Sequence, residues 1–302
     1  MGARRVVCCG LTTIDVTQVV EHVPGPDEKV VARSLAVEVG GPAANAARTA
    51  AALGSPTTLV TALGAGGLAD LARAELAAAG VTVLDLADDG DPPVSTVLVT
   101  RGTGERAVVS TNAVGRRVAA PPPDVLDGAG ALLVDGHLLG AQVSLASSAR
   151  AGGTAVILDG GSWKDGLEAL LAHVDLAVLS ADLVPPGVTS TAGTPDDDAV
   201  LAAVARLGPA LVARSHGGGP VAVLHAGART KLSVPAVEVV DTLGAGDVLH
   251  GATAAALAAG EPWLDALAAG VTVANRSVQH PGALGWAAAA ARTSADRPAG
   301  SG

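Results

Sequence analysis

A glycine-containing turn in the last third of the chain carries the sharpest chemical signal. Residues 241–247 (DTLGAGD) lie between an apolar run and an Ala-rich stretch typical of a helix. Backbone N–H groups at the start of a helix bind anions, most often phosphate. Asp247 at the same helix start fits a base that removes a proton from a hydroxyl group attacking a phosphoryl group. It equally fits a simple helix cap.

A second group of polar residues lies in the N-terminal part of the chain. Gly40 and Gly41 precede an Ala-rich helical stretch, and paired glycines let a ligand approach the backbone closely. Asn45, in the first turn of that stretch, presents both donors and an acceptor, which suits the hydroxyl groups of a sugar. Asp15 lies just beyond the first apolar run, where α/β proteins place ligand contacts. Each of these features alone is weakly specific.

Apolar strand-like runs alternate with Ala-rich helical stretches through most of the sequence. Strands are predicted at 5–10, 57–63, 81–86, 131–135, 154–158, 176–179, 210–214, 221–225 and 234–240. Helices are predicted at 43–53, 66–79, 142–151, 164–172, 196–207, 247–260 and 262–278. The alternation predicts an α/β fold with a mainly parallel central sheet and helices on both faces. We expect one domain over residues 1–290 and a flexible tail over 291–302.

Two segments interrupt this alternation. Residues 16–38 contain Val-rich pieces around a Pro-Gly-Pro turn, and residues 94–111 read as a hairpin around residues 102–104. Both predict a small β-appendage on the main sheet. It is either a lid that excludes water from a reaction site or a pair of ordinary surface hairpins.

The composition excludes several classes of protein. The chain has 302 residues, a net charge of −10 and 1% aromatic residues, which argues against a nucleic-acid partner. Cys8 and Cys9 are adjacent, so we expect neither a disulfide between them nor a zinc site, and a reducing cytoplasmic location fits. The apolar helical stretch 248–260 is too short to span a membrane.

Two longer motifs give the chain a family resemblance. GGPAANAARTAAALG (40–54) and DTLGAGDVLHGA (241–252) strongly resemble the two signatures of the ribokinase-like sugar kinases, the PfkB family. GLTTID (10–15) is similar to the opening strand and sugar-binding Asp of that family. The resemblance covers about residues 5–285 and is strongest to fructokinase-, ketohexokinase- and sulfofructose-kinase-like members. It implies a ribokinase-like fold with a β-lid, phosphoryl transfer from ATP with Mg²⁺ to a small sugar, and a homodimer formed through the lid.

The resemblance also implies roles for individual residues near the reacting groups. Asp247 matches the catalytic base, and Gly244, Ala245 and Gly246 match the anion hole that stabilises the transferring phosphoryl group. The residues that match sugar contacts are Asp15, Gly41 and Asn45, with Thr13 beside them. Lys29 and His137 are candidates for reading an anionic substituent on the sugar, or else an ordinary solvated Lys and a satisfied loop His. His250, one turn beyond Asp247, is a candidate neighbour of the substrate.

Further matches concern the nucleotide and the metal ions. Ser215 and Gly217 resemble a turn near the nucleotide, and Ser180 and Thr242 are further candidates for nucleotide contacts. Asp241 and the Leu243 carbonyl fall where many members hold a monovalent cation such as K⁺. The usual Asn-x-x-Glu motif is replaced by residues 180–183 (SADL), where Asp182 could substitute. Pro42 stands where ribokinase has Lys, which argues against strict ribose specificity.

The chain also contains a fair dinucleotide-binding pattern. Residues 64–69 (GAGGLA) follow a predicted strand and open a predicted helix, and Asp85 lies 21 residues beyond Gly64. An NAD-dependent oxidoreductase is therefore one alternative, although such patterns arise by chance in a Gly/Ala-rich chain. A sugar- or nucleotide-binding protein without catalysis is another alternative. A third keeps the phosphoryl transfer but takes a nucleoside or a sugar phosphate as acceptor.

Overall fold

The computed structural model describes residues 4–188, 190–191 and 194–289. Strands follow in the order β1 Arg5–Cys9, β2 Thr13–Val20, β3 Ser34–Gly40, β4 Thr57–Thr61, β5 Val81–Asp85, β6 Val94–Thr100, β7 Arg106–Ser110, β8 Ala129–Val134, β9 Ala155–Gly160, β10 Leu176–Leu179, β11 Ser190–Thr191, β12 Thr194–Pro195, β13 Leu211–Arg214, β14 Val221–His225 and β15 Ala228–Leu232. Helices are α1 Pro42–Ala52, α2 Gly67–Ala78, α3 Leu139–Ala151, α4 Leu167–Leu171, α5 Asp197–Ala205, α6 Ala245–Ala259 and α7 Trp263–Ser277. The predicted tail over 291–302 lies outside the described residues.

A nine-stranded sheet forms the centre of the molecule, in the order β15-β14-β13-β10-β9-β8-β1-β4-β5. From β13 to β5 all neighbouring strands are parallel, and β14 and β15 add an antiparallel edge. Strands such as β8 and β10 consist of Val, Leu, Ala and one Gly, with every residue buried, as expected for a sheet covered on both faces.

Helices cover both faces of the large sheet, so the predicted α/β fold is confirmed. One core packs α1, α2, α6 and α7 on one face, and a second core packs α3, α4 and α5 on the other. Small Ala side chains fill much of the first core, which lets α1 and α6 approach each other closely. No helix within the described ranges is long and apolar enough to cross a membrane.

The prediction of a strand at 234–240 is wrong. The edge of the large sheet is instead taken by β15, which pairs with β14 in an antiparallel hairpin. Residues 233–240 lie outside the sheet, and the Val240 amide donates to the Val278 carbonyl on another segment. Pro235 has no N–H for a sheet bond, which disfavours a regular strand at this point.

A separate four-stranded sheet has the order β3-β2-β6-β7. It consists of two antiparallel pairs, β2 with β3 and β6 with β7, joined by parallel pairing of β2 with β6. Its outer strands leave large apolar side chains exposed, among them Leu35, Val37, Val108 and Val109. β2 of the small sheet follows β1 of the large sheet after only three residues. The small sheet therefore lies at the carboxyl ends of the central strands.

Candidate active site

The N-terminus of α6 is shaped by a glycine. Gly244 precedes the helix with a φ of 69°, and a Cβ atom there would lie 2.5 Å from the Cβ of Ala283. The backbone N–H groups of Gly246 and Asp247 have no backbone acceptor within the described part of the chain. These amides point from the positive end of a 15-residue helix and are therefore available to an anion.

A close approach of two helices places Asn45 against Asp247. Gly251 on α6 lies so near α1 that a Cβ atom on it would be 2.3 Å from the Ala46 carbonyl oxygen. The Asn45 Nδ2 atom donates a hydrogen bond to Asp247 Oδ2 over 2.8 Å. The Asp247 carboxylate therefore has a fixed orientation at the first turn of α6.

A pocket of about 550 Å³ opens beside Asp247, between α1, α6 and the small sheet. Of the residues that the sequence singled out, it is lined by Thr13, Asp15, Gly41, Asn45, His137, Leu243, Gly244 and Asp247. Gly41 begins α1 with a φ of 95°, and a Cβ atom there would lie 2.5 Å from the Leu11 carbonyl oxygen. Four separate segments thus meet in one pocket, which we name the acceptor pocket.

The small sheet supplies the carboxylate of Asp15 to the acceptor pocket. Thr13 Oγ1 donates to Asp15 Oδ1 over 2.6 Å, which orients the carboxylate. Gly40 on the paired strand makes room for it, since a Cβ atom at that position would be 1.9 Å from Asp15 Oδ2. Asp15 is therefore held on both sides by its own sheet.

The sequence missed several polar residues of the acceptor pocket. They are Thr17, Glu38, Arg48, Ser95, Ser110 and Asn112. Arg48 follows Asn45 by one helical turn on α1, a spacing that would have signalled a shared face. The others depend on which strands of the small sheet pair and in which register, which the sequence pattern left open.

Lys29 is not brought to the site. It lies exposed in the loop between β2 and β3 and does not line the acceptor pocket. His137 does line the pocket, where its backbone N–H donates to Asp135 Oδ1 over 2.8 Å and its Nδ1 lies 3.3 Å from the same oxygen. His137 therefore contacts the buried carboxylate of Asp135.

A second cavity, of about 490 Å³, lies on the other side of the α6 N-terminus. Ser215, Gly217, Thr242, Ala245 and Gly246 line it, together with an apolar wall. The wall comprises Val221, Val234, Pro235, Ala236, Val237, Val239, Leu249, Val271, Ala274 and Val278. The segment that leaves the sheet at 233–240 thus forms one side of this cavity, which we name the donor cavity.

Ser180 lines neither cavity. Its hydroxyl group donates to the Gly161 carbonyl over 2.6 Å and accepts from the Asp182 amide over 3.1 Å. Asp182 itself is exposed. Within the described residues no group of three or more His, Cys, Asp or Glu side chains could hold a metal ion.

The carboxylate of Asp241 is already occupied by protein donors. Its Oδ1 accepts from Arg106 Nη2 over 2.7 Å and from the Leu243 amide over 2.9 Å. Its Oδ2 accepts from the Gly282 amide over 2.9 Å. A guanidinium group from β7 thus stands beside the oxygen that a monovalent cation would use, and the residues present do not fit such a cation at Asp241.

The surroundings of Asp247 raise its pKa to about 7. Loss of hydration is the largest cause, and a negative charge on the nearby Asp159 would raise this pKa further, while the hydrogen bond from Asn45 acts in the opposite direction. A carboxyl group with a pKa near neutrality can accept a proton from a hydroxyl group and release it again. At neutral pH the Asp247 carboxyl group can therefore exist in either protonation state.

The dinucleotide-binding pattern at residues 64–69 is not an open site. The Asp85 carboxylate accepts from the Leu63 and Gly64 amides over 2.9 and 3.1 Å and from Arg73 over 2.7 Å. A Cβ atom on Gly64 would lie 2.2 Å from the Gly90 carbonyl oxygen. The glycines serve the packing of this loop, and Asp85 is engaged within it.

The family model for pfkB family carbohydrate kinases matches residues 3–287. The chain belongs to this family. Ketohexokinase from Mus musculus is 28% identical over 111 residues, which span 36% of this chain and 37% of that protein. The family match thus covers nearly the whole chain, whereas the similarity to this curated relative covers about a third of each protein.

Solved structures support the ribokinase-like fold. A putative ribokinase from Agrobacterium tumefaciens superposes with a TM-score of 0.83 at 24% identity, over 98% of this chain and 100% of that one. Arabidopsis thaliana ribokinase, complexed with ribose and ATP, gives a TM-score of 0.76 at 22% identity over 94% and 96%. At these identities the likeness shows the fold.

Proposed function

We propose that this member of the PfkB family transfers the γ-phosphoryl group of ATP to a primary hydroxyl group of a small, uncharged sugar. One observation carries the proposal. The N-terminus of α6 stands between the two cavities, with Gly244 and Asp247 facing the acceptor pocket and Ala245 and Gly246 facing the donor cavity. A phosphoryl group passing between the cavities would cross the free amides of this helix start.

The acceptor pocket suits a polyhydroxylated molecule. Asp15 and Asn45 offer acceptors and donors at fixed positions, and Ser95 and Ser110 add hydroxyl groups from the small sheet. A site built to hydrogen-bond hydroxyl groups rejects molecules that lack them, because its buried polar groups would be left unpaired. The pocket therefore favours a sugar over an apolar alcohol.

The charges around the acceptor pocket favour an uncharged sugar. Asp15, Glu38 and Asp247 contribute carboxyl groups, and Arg48 is the guanidinium group among them. Arg48 Nη1 donates to the Val39 carbonyl over 2.8 Å, and this group faces the carboxylates of Glu38 and Glu75. A phosphate or sulfonate on the sugar would meet excess negative charge, which disfavours it.

In the proposed reaction Asp247 receives the proton of the attacking hydroxyl group. Asn45 holds the carboxylate in place, so the reacting oxygen and the phosphorus can align without reorganisation. The amides of Gly246 and Asp247 stabilise the charge on the transferring group. Mg²⁺, bound with ATP, would neutralise charge on the phosphate oxygens.

The donor cavity suits the base and ribose of ATP. Its aliphatic walls can pack against a planar ring, and its open end reaches Thr242 and Gly246 beside the helix start. We propose no K⁺ site at Asp241, because Arg106 occupies the carboxylate. Use of ATP and the two buried free thiols, Cys8 and Cys9, are consistent with a cytoplasmic enzyme.

We propose that the small sheet acts as a lid and as a dimer interface. It forms one wall of the acceptor pocket through β2, β3, β6 and β7, so its movement would open or close the pocket. Leu35 and Val109 on its outer strands are 64% and 75% exposed. Pairing with a second copy would cover these edges, and replacing both residues by Asp should convert a dimer to a monomer in light scattering.

The proposed function is tested by ADP release from Mg-ATP over a panel of acceptors. The panel contains fructose, ribose, 2-keto-3-deoxygluconate, sulfofructose, hexose phosphates and adenosine, with product analysis by ³¹P NMR. We expect release that depends on one uncharged sugar. Preference for an acceptor that carries a carboxylate, phosphate or sulfonate group, or for adenosine, would refute the uncharged-sugar assignment. Binding of NAD(H) without binding of ATP would refute the kinase assignment altogether.

A further inference from the structure

A buried pair of titratable side chains lies one helical turn behind Asp247. His250 on α6 and Asp159 at the end of β9 have side chains only 7% and 8% exposed, and His250 Nδ1 lies 3.2 Å from Asp159 Oδ2. Neither of these two atoms has a hydrogen bond to any other group in the described part of the chain. The proposed reaction uses neither residue directly.

The contact of the other ring nitrogen, His250 Nε2, shows that this nitrogen is protonated. His250 Nε2 lies 3.1 Å from the Val178 carbonyl oxygen, which can only accept a hydrogen bond. Nε2 therefore carries a proton. In a neutral imidazole the Nδ1 atom then presents a lone pair, and it faces a carboxylate oxygen that also presents lone pairs. Two acceptors 3.2 Å apart in a buried site require a proton between them.

The groups around the pair decide which of the two holds that proton. Burial is the largest cause that raises the pKa of Asp159 to about 7, and the charge of Asp135 adds to it. Lys164 and His137, from the loops after β9 and β8, act in the opposite direction. Burial lowers the pKa of His250 more than the Val178 carbonyl, the charge of Asp247 and the Gly246 carbonyl together raise it. Both directions favour a protonated carboxyl group beside a neutral imidazole.

Asp135 is the charged carboxylate of this region. It accepts hydrogen bonds from the Leu11 and His137 amides and from Gln142 Nε2, each over 2.8 Å. Burial alone would raise the pKa of Asp135, but the charge and hydrogen bonds of His137 and the Leu11 amide outweigh it and hold this pKa below its ordinary value. A second buried negative charge on Asp159 would be repelled by Asp135 and by Asp247.

We propose that a single proton lies between Asp159 and His250, bonded to Asp159 and donated to His250 Nδ1. Because this pair is then neutral, Asp247 is the carboxyl group that ionises during the reaction. The inference rests on the proposed role of Asp247 as base. Asp159 and His250 are positioning residues, since they act on the substrate through Asp247 and the helix that carries it. Asn45 holds the Asp247 carboxylate from the other side.

The protonation of His250 can be measured without any turnover. Long-range ¹H–¹⁵N correlation spectra of the whole chain report both ring nitrogens of its seven His residues, and the His250→Gln variant assigns the signal. We expect a neutral imidazole protonated on Nε2 from pH 6 to pH 8. An imidazolium with both nitrogens protonated at pH 7 would overturn the proposal, because Asp159 would then be ionised.

Two variants of Asp159 test the effect on catalysis. Asp159→Leu removes the donor to Nδ1 and should lower kcat by about tenfold. Asp159→Asn restores an uncharged donor and should recover most of that loss, with the acidic limb of the pH–rate profile within about 0.3 pH units of the native position. A downward shift of that limb by one unit or more in Asp159→Asn would overturn the proposal.

The outcomes separate this inference from the proposed function. If Asp247→Asn turns over at the native rate, the role of Asp247 fails, whatever the spectra of His250 show. If Asp247→Asn is inactive and His250 is an imidazolium, the role of Asp247 stands and the shared proton fails. The spectra also decide the matter if either Asp159 variant does not fold.

Discussion

The two cavities that flank the start of α6 are built from opposite kinds of side chain. The donor cavity is walled by Val, Ala, Pro and Leu, whereas the acceptor pocket collects Asp15, Glu38, Asn45 and Arg48 with several hydroxyl groups. The first selects its ligand mainly by shape and by apolar contact. The second selects by the direction of individual hydrogen bonds, so small changes there should have larger and more specific effects.

The two cavities also differ in how the backbone holds them. Gly40 and Gly41 in the acceptor pocket, and Gly251 at the contact of α1 with α6, each stand where a Cβ atom would be 2.5 Å or less from another atom. These close backbone approaches help to position Asp15 and Asn45. The wall of the donor cavity includes residues 233–240, which lie outside the sheet and have few backbone bonds. We therefore expect the donor cavity to tolerate change better.

Among the proposed variants, Asp15→Asn is expected to give the largest difference between the kinetic effects on the sugar and on ATP. Loss of the carboxylate should lower kcat/KM for the sugar by about 10²- to 10³-fold, because donors on the sugar lose their charged acceptor. The KM for ATP should change less than about twofold. Steady-state kinetics with each substrate varied in turn measures both values. Asp27→Asn, on the exposed loop after β2, is the matched control. An equal rise in the KM values for the sugar and for ATP would contradict the assignment of the two substrates to different cavities.

Deleting residues 98–109 removes the end of β6 and most of β7. The acceptor pocket loses Val108 from its wall, and Arg106 is lost from Asp241. We expect the KM for the sugar to rise about tenfold and ATP to be hydrolysed without sugar, because water gains access to the phosphoryl group. ADP release is measured with and without the sugar. Unaltered kinetics would show that the small sheet does not act as a lid.

A change confined to the donor cavity should affect only ATP. Ala274→Leu on α7 places a larger side chain in the cavity and should raise the KM for ATP about tenfold with the KM for the sugar unchanged. Ala269→Leu, exposed on the same helix, controls for the substitution itself. If Ala274→Leu raised only the KM for the sugar, the assignment of the two cavities would be reversed.

The raised pKa of Asp247 also predicts an effect on stability. A carboxyl group whose pKa rises from 3.8 to about 7 on folding binds its proton more tightly in the folded state, so the native chain loses stability as the pH rises through that range. Asp247→Asn cannot lose a proton and should have a Tm about 2–4 °C above the native value at pH 8, with little difference at pH 4. Thermal unfolding by circular dichroism measures both, and an identical pH dependence of the two proteins would contradict the raised pKa.

The smallest effect is expected from the monovalent cation. Because Arg106 stands at the Asp241 carboxylate, replacing K⁺ by Na⁺ or choline should change kcat by less than about twofold. Arg106→Leu should make the rate depend on K⁺, since it leaves Asp241 open. Strong K⁺ dependence of the native chain would show that Arg106 leaves the carboxylate in the working enzyme.

Short-range patterns in the sequence singled out two residues that the structure brings together at the candidate site. Two glycine-containing turns at helix starts singled out Asn45 and Asp247, which the structure places 2.8 Å apart although they are 202 residues apart in sequence. The alternation of apolar and Ala-rich runs also predicted the large sheet. Patterns of this kind report local geometry, and local geometry positions these two residues.

The sequence was less informative where tertiary pairing decides the outcome. A Val-rich run predicted a strand at 234–240, but the hairpin of β14 and β15 takes the edge of the sheet instead. Glu38 and Ser95 reach the acceptor pocket only because β2 pairs with both β3 and β6. The contact between Asp159 and His250 joins a strand to a distant helix, and no spacing rule connects them.

The proposed phosphoryl transfer depends most directly on Asp247 as the base. The deciding measurement is single-turnover phosphoryl transfer by Asp247→Asn with saturating Mg-ATP and sugar, together with calorimetric binding of each substrate. We expect transfer to slow by about 10²- to 10⁴-fold with both affinities within about threefold of the native values. Transfer at the native rate would contradict the account.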